Sequence, residues 1–556
     1  MAKTTATQIQ NSEDEFKGLN IITDLHCHPS LNPFNSSGDI WKYDPPRERQ
    51  RDNLINTLIT SNFSQTDFTS QAKGDVRLVL LSLYPIEHGF LTNLLSNPLF
   101  KNKATAARFA DTVMRGLIMD VLSRFGLGSA EHFLSKAIFN MKGKRFKEMT
   151  APDRDYFNDL MGEYEFLISK LPETKVINGK TYQIKIVRNY ADLKDTLKID
   201  DNYNVQVGDT NYLCIVLTIE GAHAFGCGIP KVNIDNDINK LNNLSDPDTK
   251  KLLAKLETNI KKVKNLENGA YCPFFVTLSH HFWNQLCGHS MSLAGIMHSV
   301  FNQKDGMSTG LTAVGEKVVE MLLSKKNGKR ILIDIKHMSV EGRQQYYQIL
   351  DLLNEDIPII ASHMGVNAHS TMDQSRNMLD HFVMDESYNE TGWYNNWDIN
   401  LSDEEILRIH KSNGLIGLNM DQRILSGKKM IDTLNRISGG IKEKTRSVIY
   451  RSIWAEPILA NLLYIVRTIA RANPDEKDAV WQYVGIGSDF DGMINALDAY
   501  CHFEDLKVLK GILCEKLKLR AQHDMLLKGK TVKDLEEIID GFMYKNALIF
   551  LERNFN

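Results

Sequence analysis

The sequence predicts an α/β fold, a (β/α)8 TIM barrel, from two observations. Eight short runs rich in Val, Ile and Leu recur along the 556 residues, and segments with helical spacing lie between them. Continuous apolar runs, unlike alternating ones, are typical of parallel strands that are covered on both faces. Eight such strands alternating with helices indicate a barrel.

The predicted strands begin with LNIITDLHCH and end with YVGIGSDFDG. They cover residues 19–28, 76–84, 212–221, 274–281, 330–337, 358–365, 414–420 and 483–492. An example of the helical spacing precedes the fifth run, where Val314, Val318 and Leu322 recur every four residues. Six of the eight runs end in His, Glu or Asp, and barrels of this kind place their active sites at the C-terminal ends of the strands.

Two connections are too long for simple crossovers. Residues 85–211, between strands two and three, are predicted to be a large, mostly helical insertion, with an amphipathic helix over 108–126. Asn178-Gly179 within it lies between two apolar alternations and predicts a β-hairpin. Residues 421–482, between strands seven and eight, form a second insertion that we also expect to be helical. Both insertions could cover the barrel mouth, and a structural or dimer-forming role is the alternative.

Composition limits the partners of the chain and its compartment. The formal net charge is −3, so nothing favours nucleic acid or an anionic membrane surface. The seven cysteines form no CxxC pair and lie in or beside apolar runs, which is typical of buried free thiols in a reducing compartment. No stretch looks long enough to cross a bilayer, which takes roughly 18 apolar residues, and the start lacks a signal-peptide core.

We therefore expect a cytoplasmic protein that acts on a small molecule and could form a homodimer. Residues 1–17 are predicted to be a mobile tail, and residues 18–556 a single barrel domain.

The first strand ends in two histidines separated by one residue. Side chains two residues apart in a strand lie on the same face, so His26 and His28 can bind the same metal ion. The alternative is a pair of half-buried histidines that bond to the backbone. Four further ligand-type side chains end other predicted strands: Glu220, His337, His363 and Asp489.

Six such groups buried at one rim would be desolvated without compensating charge unless a cation joins them. We expect two divalent ions that share Glu220, the first also held by His26, His28 and Asp489 and the second by His337 and His363. A water bridging two such ions becomes hydroxide near neutral pH. The mixed set of imidazoles and carboxylates favours zinc over manganese, cobalt or iron.

Eight motifs occur in an order that resembles a known family. They are DLHCH, TIEGAH, VTLSH, GLTAVGEKVV, LIDIKHMS, ASHMG, SRNMLD and VGIGSDFDG. The chain resembles the membrane (renal-type) dipeptidases, peptidase family M19 of the amidohydrolase superfamily. The resemblance implies a (β/α)8 barrel with a glutamate-bridged binuclear zinc centre that hydrolyses dipeptides, and metal ligands at His26, His28, Glu220, His337 and His363.

The resemblance also implies three further roles. His280 contacts the scissile carbonyl and steadies the oxyanion, and Arg376 binds the terminal carboxylate of the substrate. Asp489 ligates metal and passes the proton from the attacking water to the leaving amine. The alternatives are that His280 is structural and its neighbour His281 faces the site, and that Arg376 forms only a surface salt bridge.

The sequence departs from the family pattern on the first strand, where His26-x-His28 replaces His-x-Asp and makes the site one negative charge poorer. The expected function is hydrolysis of the amide bond of dipeptides or dipeptide-like substrates by a metal-bridging hydroxide. The alternatives are hydrolysis of N-acyl amino acids, lactones or phosphoesters on the same metals, and a non-catalytic scaffold with a vestigial metal site.

Overall fold

The computed structural model describes most of the chain. The described residues are 21–36, 38–45, 63–90, 141, 143–151, 154–205, 211–229, 233–293, 301–376, 392–441, 447–476 and 478–556. The expected tail over 1–17 and the expected amphipathic helix over 108–126 lie outside these ranges.

Eight parallel strands close into a barrel, which confirms the predicted fold class. The barrel strands are β1 (Ile22–Cys27), β2 (Val76–Leu83), β5 (Asn211–Glu220), β6 (Phe275–Thr277), β7 (Leu332–Asp334), β8 (Ile360–Met364), β9 (Leu415–Leu418) and β10 (Val484–Ile486). Their order around the ring is β2, β1, β10, β9, β8, β7, β6, β5, and β2 pairs with β5 to complete it. Each strand lies within one of the eight predicted runs or begins one residue before it.

Helices lie between the strands, as the helical spacing predicts. They are α1 (Leu31–Asn35), α2 (Phe68–Lys73), α3 (Gly143–Met149), α4 (Tyr156–Lys170), α5 (Tyr190–Leu197), α6 (Ile234–Leu241), α7 (Pro247–Lys264), α8 (Ala313–Leu323), α9 (Val340–Leu353), α10 (Met372–Arg376), α11 (Asp403–Lys411), α12 (Gln422–Leu425), α13 (Lys428–Ser438), α14 (Val448–Trp454), α15 (Glu456–Ala472), α16 (Phe503–Arg520), α17 (Val532–Asp540) and α18 (Asn546–Asn554). Val314, Val318 and Leu322 are buried on α8, so the four-residue spacing marks the face that packs on the barrel.

The predicted hairpin is present in the first insertion. Strands β3 (Thr174–Ile177) and β4 (Lys180–Ile186) are antiparallel, and Asn178 and Gly179 at the turn have φ of 49° and 76°. A two-residue turn with positive φ matches the right-handed twist of the flanking strands. Strand β4 also pairs with the first half of β5, so the hairpin extends the sheet beyond the barrel.

The second insertion is helical over its described residues and contributes to the core. Its segment Val448–Ala472 has the length and the mean hydropathy, 1.3, of a membrane-crossing helix, and 72% of the apolar window is buried in the fold. The expectation that no stretch reaches that length was therefore wrong for this segment. Because Leu459, Leu463 and Val466 of α15 are fully buried, the apolar residues serve packing against the barrel.

The hydrophobic core is continuous from the barrel interior to the helix layer. All seven cysteines are free and buried, as predicted. Burial raises the pKa of thiols such as Cys214 and Cys287 to about 12, which keeps them protonated and unreactive.

Candidate metal centre

The barrel brings the predicted ligand-type side chains to one rim. His26 and His363 lie within β1 and β8, Glu220 is the last residue of β5, and His28 follows β1 directly. His26, His28 and His363 are 0% exposed and Glu220 is 2% exposed. Parallel strands of a barrel end at the same rim, so residues far apart in sequence meet there.

Glu220 lies at the centre of the group. Its Oε1 is 3.1 Å from His26 Nε2, and its Oε2 is 3.0 Å from His28 Nε2. On the other side, Oε1 is 3.6 Å from His363 Nε2 and 3.8 Å from His337 Nε2. One carboxylate therefore faces both pairs of imidazoles.

Asp489 completes the group from the loop after β10, the strand that pairs with β1. Its Oδ1 is 3.9 Å from His26 Nε2 and 3.8 Å from His28 Nε2, and its Oδ2 is 3.8 Å from His363 Nε2. Strand β10 ends three residues before Asp489, whose φ of 62° turns its backbone into the left-handed region. A Cβ at Gly492 would come within 2.0 Å of Asp489 Oδ1, so this turn needs a glycine beside the carboxylate.

These side chains form two sets that can each hold an ion and that share Glu220. Within each set the potential ligand atoms lie within 4.8 Å of one another. The sets are His26, His28, Glu220 and Asp489, and Glu220, His337 and His363. The structure thus brings together the residues that the sequence assigned to two metals, and in the same partition, while their roles as ligands stay a prediction.

A cation fits this donor set, because several buried polar atoms lack any other partner. His26 Nε2, His28 Nε2 and Glu220 Oε1 are buried and, among the described residues, face only one another, the other members of the two groups and His280. An unpartnered buried polar atom costs about 1–3 kcal/mol, and three of them facing one another would be a large penalty. A divalent ion between the imidazoles and the carboxylates would satisfy all of them.

The far nitrogen of three of these imidazoles is fixed by a neighbouring polar group. His28 Nδ1 lies 3.0 Å from the carbonyl oxygen of Ser82, and His26 Nδ1 lies 3.2 Å from Ser82 Oγ. His363 Nδ1 lies 2.7 Å from Ser362 Oγ. Partners of this kind orient a ligating imidazole and leave its Nε2 free for metal.

The pKa values of Glu220 and Asp489 are shifted in opposite directions. Burial raises the pKa of Glu220, but His280, His26 and His28 outweigh it and hold this pKa well below its usual range. Burial and then the charge of Glu220 raise the pKa of Asp489 to about 8. A pair of carboxyls with opposite shifts is typical of a site that needs one anion and one proton carrier.

His280 reaches the centre from β6 and is held by a residue that sequence reasoning missed. His280 Nε2 is 3.4 Å from Glu220 Oε1, and its Nδ1 is 2.6 Å from Glu87 Oε2. Glu87 is buried and also accepts hydrogen bonds from the backbone N–H of Phe282 and His281, at 3.0 and 3.3 Å. Its position was the one clue in the sequence. Glu87 follows β2, which is one of the two predicted strands that do not end in His, Glu or Asp.

His223 and Lys336 lie beside these ligand-type residues, and Arg376 was predicted to bind substrate. His223 Nε2 is 2.7 Å from the carbonyl oxygen of Pro85, so it anchors the loop after β2. Lys336 is buried and its Nζ has no hydrogen-bond partner among the described residues, and burial lowers its pKa to about 8. Arg376 is the last residue of α10, but its side chain lies outside the described part, and its role stays a prediction.

Solved structures with related architecture cover nearly the whole chain. The chain is similar to M19 dipeptidases. One match is a dipeptidase described as a metallopeptidase of family M19, with 13% identity, a TM-score of 0.43, and 96% of this chain and 99% of that chain covered. A second is a metallopeptidase from Rhodobacter sphaeroides liganded with a phosphinate mimic of the dipeptide L-Ala-D-Ala, with 15% identity, a TM-score of 0.44, and 97% and 100% covered.

A third match is the probable dipeptidase PvdM from Pseudomonas aeruginosa, with 14% identity, a TM-score of 0.47 and 98% of each chain covered. No protein-family model and no curated protein matches the sequence. At these TM-scores the barrel assignment rests on the pairing of the eight strands, and the site rests on its own geometry.

Proposed function

We propose that this protein is a binuclear metal-dependent hydrolase that cleaves the amide bond of dipeptides or dipeptide-like substrates. The observation that supports it most is the position of Glu220, which faces His26 and His28 with two oxygens and His337 and His363 with one of them. The motifs that resemble M19 dipeptidases supply the substrate class.

Two divalent cations, most simply Zn²⁺, would be held by these two sets of side chains. When bound, such ions polarise the scissile carbonyl and lower the pKa of the attacking water. Glu220 would be common to both, His26, His28 and Asp489 would serve one ion, and His337 and His363 the other. His28 in place of a carboxylate leaves the first ion with one negative charge fewer than the family pattern would give it.

Asp489 would carry the proton during hydrolysis. Its carboxyl lies near both groups of imidazoles, and its Oδ2 accepts a hydrogen bond of 3.3 Å from Asn419 Nδ2. A carboxylate beside the attacking water can accept its proton and return it to the leaving amine.

His280 would stabilise the developing oxyanion, and Arg376 would bind the terminal carboxylate of the substrate. Glu87 holds His280 Nδ1 at 2.6 Å and so directs Nε2 toward Glu220 and the centre of the site. A preorganised donor at the position of developing charge is the main contribution a protein group makes to such a step.

The test combines metal content with a substrate panel. Purified protein supplied with zinc should hold two ions per chain and hydrolyse dipeptides faster than N-acyl amino acids, lactones or aryl phosphates. Glu220→Gln should lose most bound metal and activity, because it removes the charge that both ions share. Glu320→Gln is the control, since this glutamate lies on the exposed face of α8 and outside both sets.

Two results would contradict the proposal. Turnover of phosphoesters or N-acyl amino acids alone would point to another amidohydrolase-type reaction on the same metals. Metal content well below one ion per chain after zinc is supplied would favour a scaffold with a vestigial site.

A further inference from the structure

His281 follows the proposed oxyanion-stabilising residue and lies in the same cluster of rings. Its ring centroid is 3.8 Å from that of His280 and 5.1 Å from that of His337. The side chain is almost fully buried. Neighbouring residues usually point apart, so two adjacent histidines at one site need an explanation.

A buried chain of hydrogen bonds fixes the orientation of Gln303 beside His281. The Oε1 atom of Gln303 accepts from the backbone N–H of Ser292 and of Leu293, at 3.2 and 2.8 Å. Its Nε2 donates to the carbonyl oxygen of His281 at 2.8 Å and to Ser292 Oγ at 2.7 Å. Because only the amide oxygen can accept from the two backbone groups, the amide cannot be flipped.

The fixed amide donates to Ser292 and so occupies one lone pair of its hydroxyl oxygen. This Oγ accepts from Gln303 and lies 2.6 Å from His281 Nδ1. Among the described residues His281 Nδ1 is the one acceptor paired with the hydroxyl, and we infer that Ser292 donates to it. A neutral imidazole that accepts at Nδ1 carries its proton at Nε2.

The Nδ1 atoms of the two adjacent histidines therefore have opposite hydrogen-bonding roles. His280 Nδ1 faces the carboxylate of Glu87, which only accepts, and His281 Nδ1 faces a hydroxyl that donates. No protein partner for His281 Nε2 occurs in the part of the chain that the structure describes. As far as the described residues go, this N–H is available to a bound substrate.

We propose that His281 is a second substrate-contacting residue, whose Nε2–H donates to the same substrate oxygen that His280 stabilises. This inference rests on the proposed hydrolysis of a carbonyl compound and adds a neutral donor to the site. The ligand group it recognises is an acceptor oxygen that gains negative charge, as the carbonyl oxygen of a dipeptide does. Oxyanion sites commonly use two donors.

The same tautomer disfavours another interpretation of the cluster. One ring nitrogen from each of His280, His281 and His337 lies within 4.8 Å of the others, which is also the spacing of a metal site. A nitrogen that carries a proton has no lone pair for a cation, so His281 Nε2 would have to lose its proton before it could bind a third ion.

The experiment compares His281→Phe, which keeps a planar ring without a donor, with His281→Gln, which keeps an N–H donor. We expect kcat of His281→Phe on a dipeptide to fall about 100-fold, the usual loss for one oxyanion donor, with KM changed less than threefold. His281→Gln should recover a large part of this loss. Affinity for a phosphinic dipeptide mimic should fall with kcat in His281→Phe, and metal content should stay unchanged.

Selective ¹⁵N-histidine labelling provides a readout that is independent of turnover. The signals that disappear in His281→Phe should belong to a ring with an unprotonated Nδ1 and a protonated Nε2. The opposite tautomer, an ion lost in His281→Phe, or kcat within threefold of wild type would each overturn the inference. Failure of the proposed function would look different, because the wild-type protein would then hold too little metal or leave dipeptides intact.

Discussion

Glu87 and His280 form a dyad that the proposed chemistry depends on. Burial alone would raise the pKa of Glu87, but the neighbouring His280 outweighs it and holds the pKa of Glu87 at about 2. Burial lowers the pKa of His280, but Glu220 and Glu87 outweigh it and leave this pKa raised. The dyad thus favours an ionised carboxylate beside an imidazole that readily holds a proton.

Glu87→Gln should lower kcat by about 10–100-fold, the usual effect of losing the partner that orients a functional histidine. Because the substitution removes a carboxylate that raises the pKa of His280, the limb of the pH profile of kcat/KM due to His280 should move to lower pH. Metal content should be unchanged, since Glu87 belongs to neither set. An unaltered pH profile would contradict the role given to Glu87.

Asp489→Asn should lower kcat by about 10²–10⁴-fold, because the amide cannot carry the proton. The matched control is Asp491→Asn, two residues along. Asp491 accepts from the backbone N–H of Gln65 at 3.0 Å and from Ser64 Oγ at 3.2 Å, so its loss should affect stability more than turnover. Equal losses of kcat in the two variants would argue against a special role for Asp489.

Much of the site could be predicted from the sequence, because its residues end the strands that the apolar runs mark. Glu220 and His363 are examples, as each stands at or near the end of a Val- and Ile-rich run. Glu87 and Ser292 could not be found this way, since their partners depend on how loops fold over the rim. No local pattern records a contact such as that between Glu87 and His280, which lie 193 residues apart.

At the scale of elements, the buried Glu163 ties α4 of the first insertion to the barrel rim. Glu163 accepts from Ser30 Oγ at 2.6 Å and from the backbone N–H of Tyr84 at 2.9 Å. Ser30 follows the end of β1, and Tyr84 follows β2 directly. The insertion therefore supports the loops that carry His28 and Glu87, which gives it a structural role beside the site.

Glu163→Ala should destabilise the metal-free protein, and more at pH 5 than at pH 8. Burial raises the pKa of Glu163 to about 7, so the folded state binds this proton more tightly than the unfolded state does. The contribution of Glu163 to stability is complete below the unfolded pKa of about 4.3 and is lost as the pH rises through about 7. Urea unfolding of both proteins at the two pH values measures the difference.

An equal loss of stability at pH 5 and pH 8 would mean that the carboxyl of Glu163 is ionised throughout.

The hairpin of β3 and β4 could be predicted from the sequence, because Asn178-Gly179 alone indicates its turn. The contact of Glu163 with the rim could not be predicted, because it depends on how α4 docks.

For the whole molecule, the proposed metal centre would link metal binding to folding. Removal of metal by a chelator should lower Tm, and added zinc should restore it in a concentration-dependent way. Zinc at 100 times its dissociation constant stabilises the folded state by about 2.7 kcal/mol per site. Differential scanning calorimetry with and without chelator provides the measurement, and calcium is the control because this imidazole-rich set suits it poorly.

Two positions at the rim have a backbone conformation that ordinary side chains disfavour. His337 and Asp489 have φ of 65° and 62°, a region that costs a residue with a Cβ about 1–3 kcal/mol and that glycine or asparagine enters more easily. At these two positions, a substitution that raises thermal stability would therefore remove a side chain that the proposed activity needs. Selection for thermal stability alone would favour glycine or asparagine at both positions. Under the proposed function, the resulting protein would be more stable but inactive.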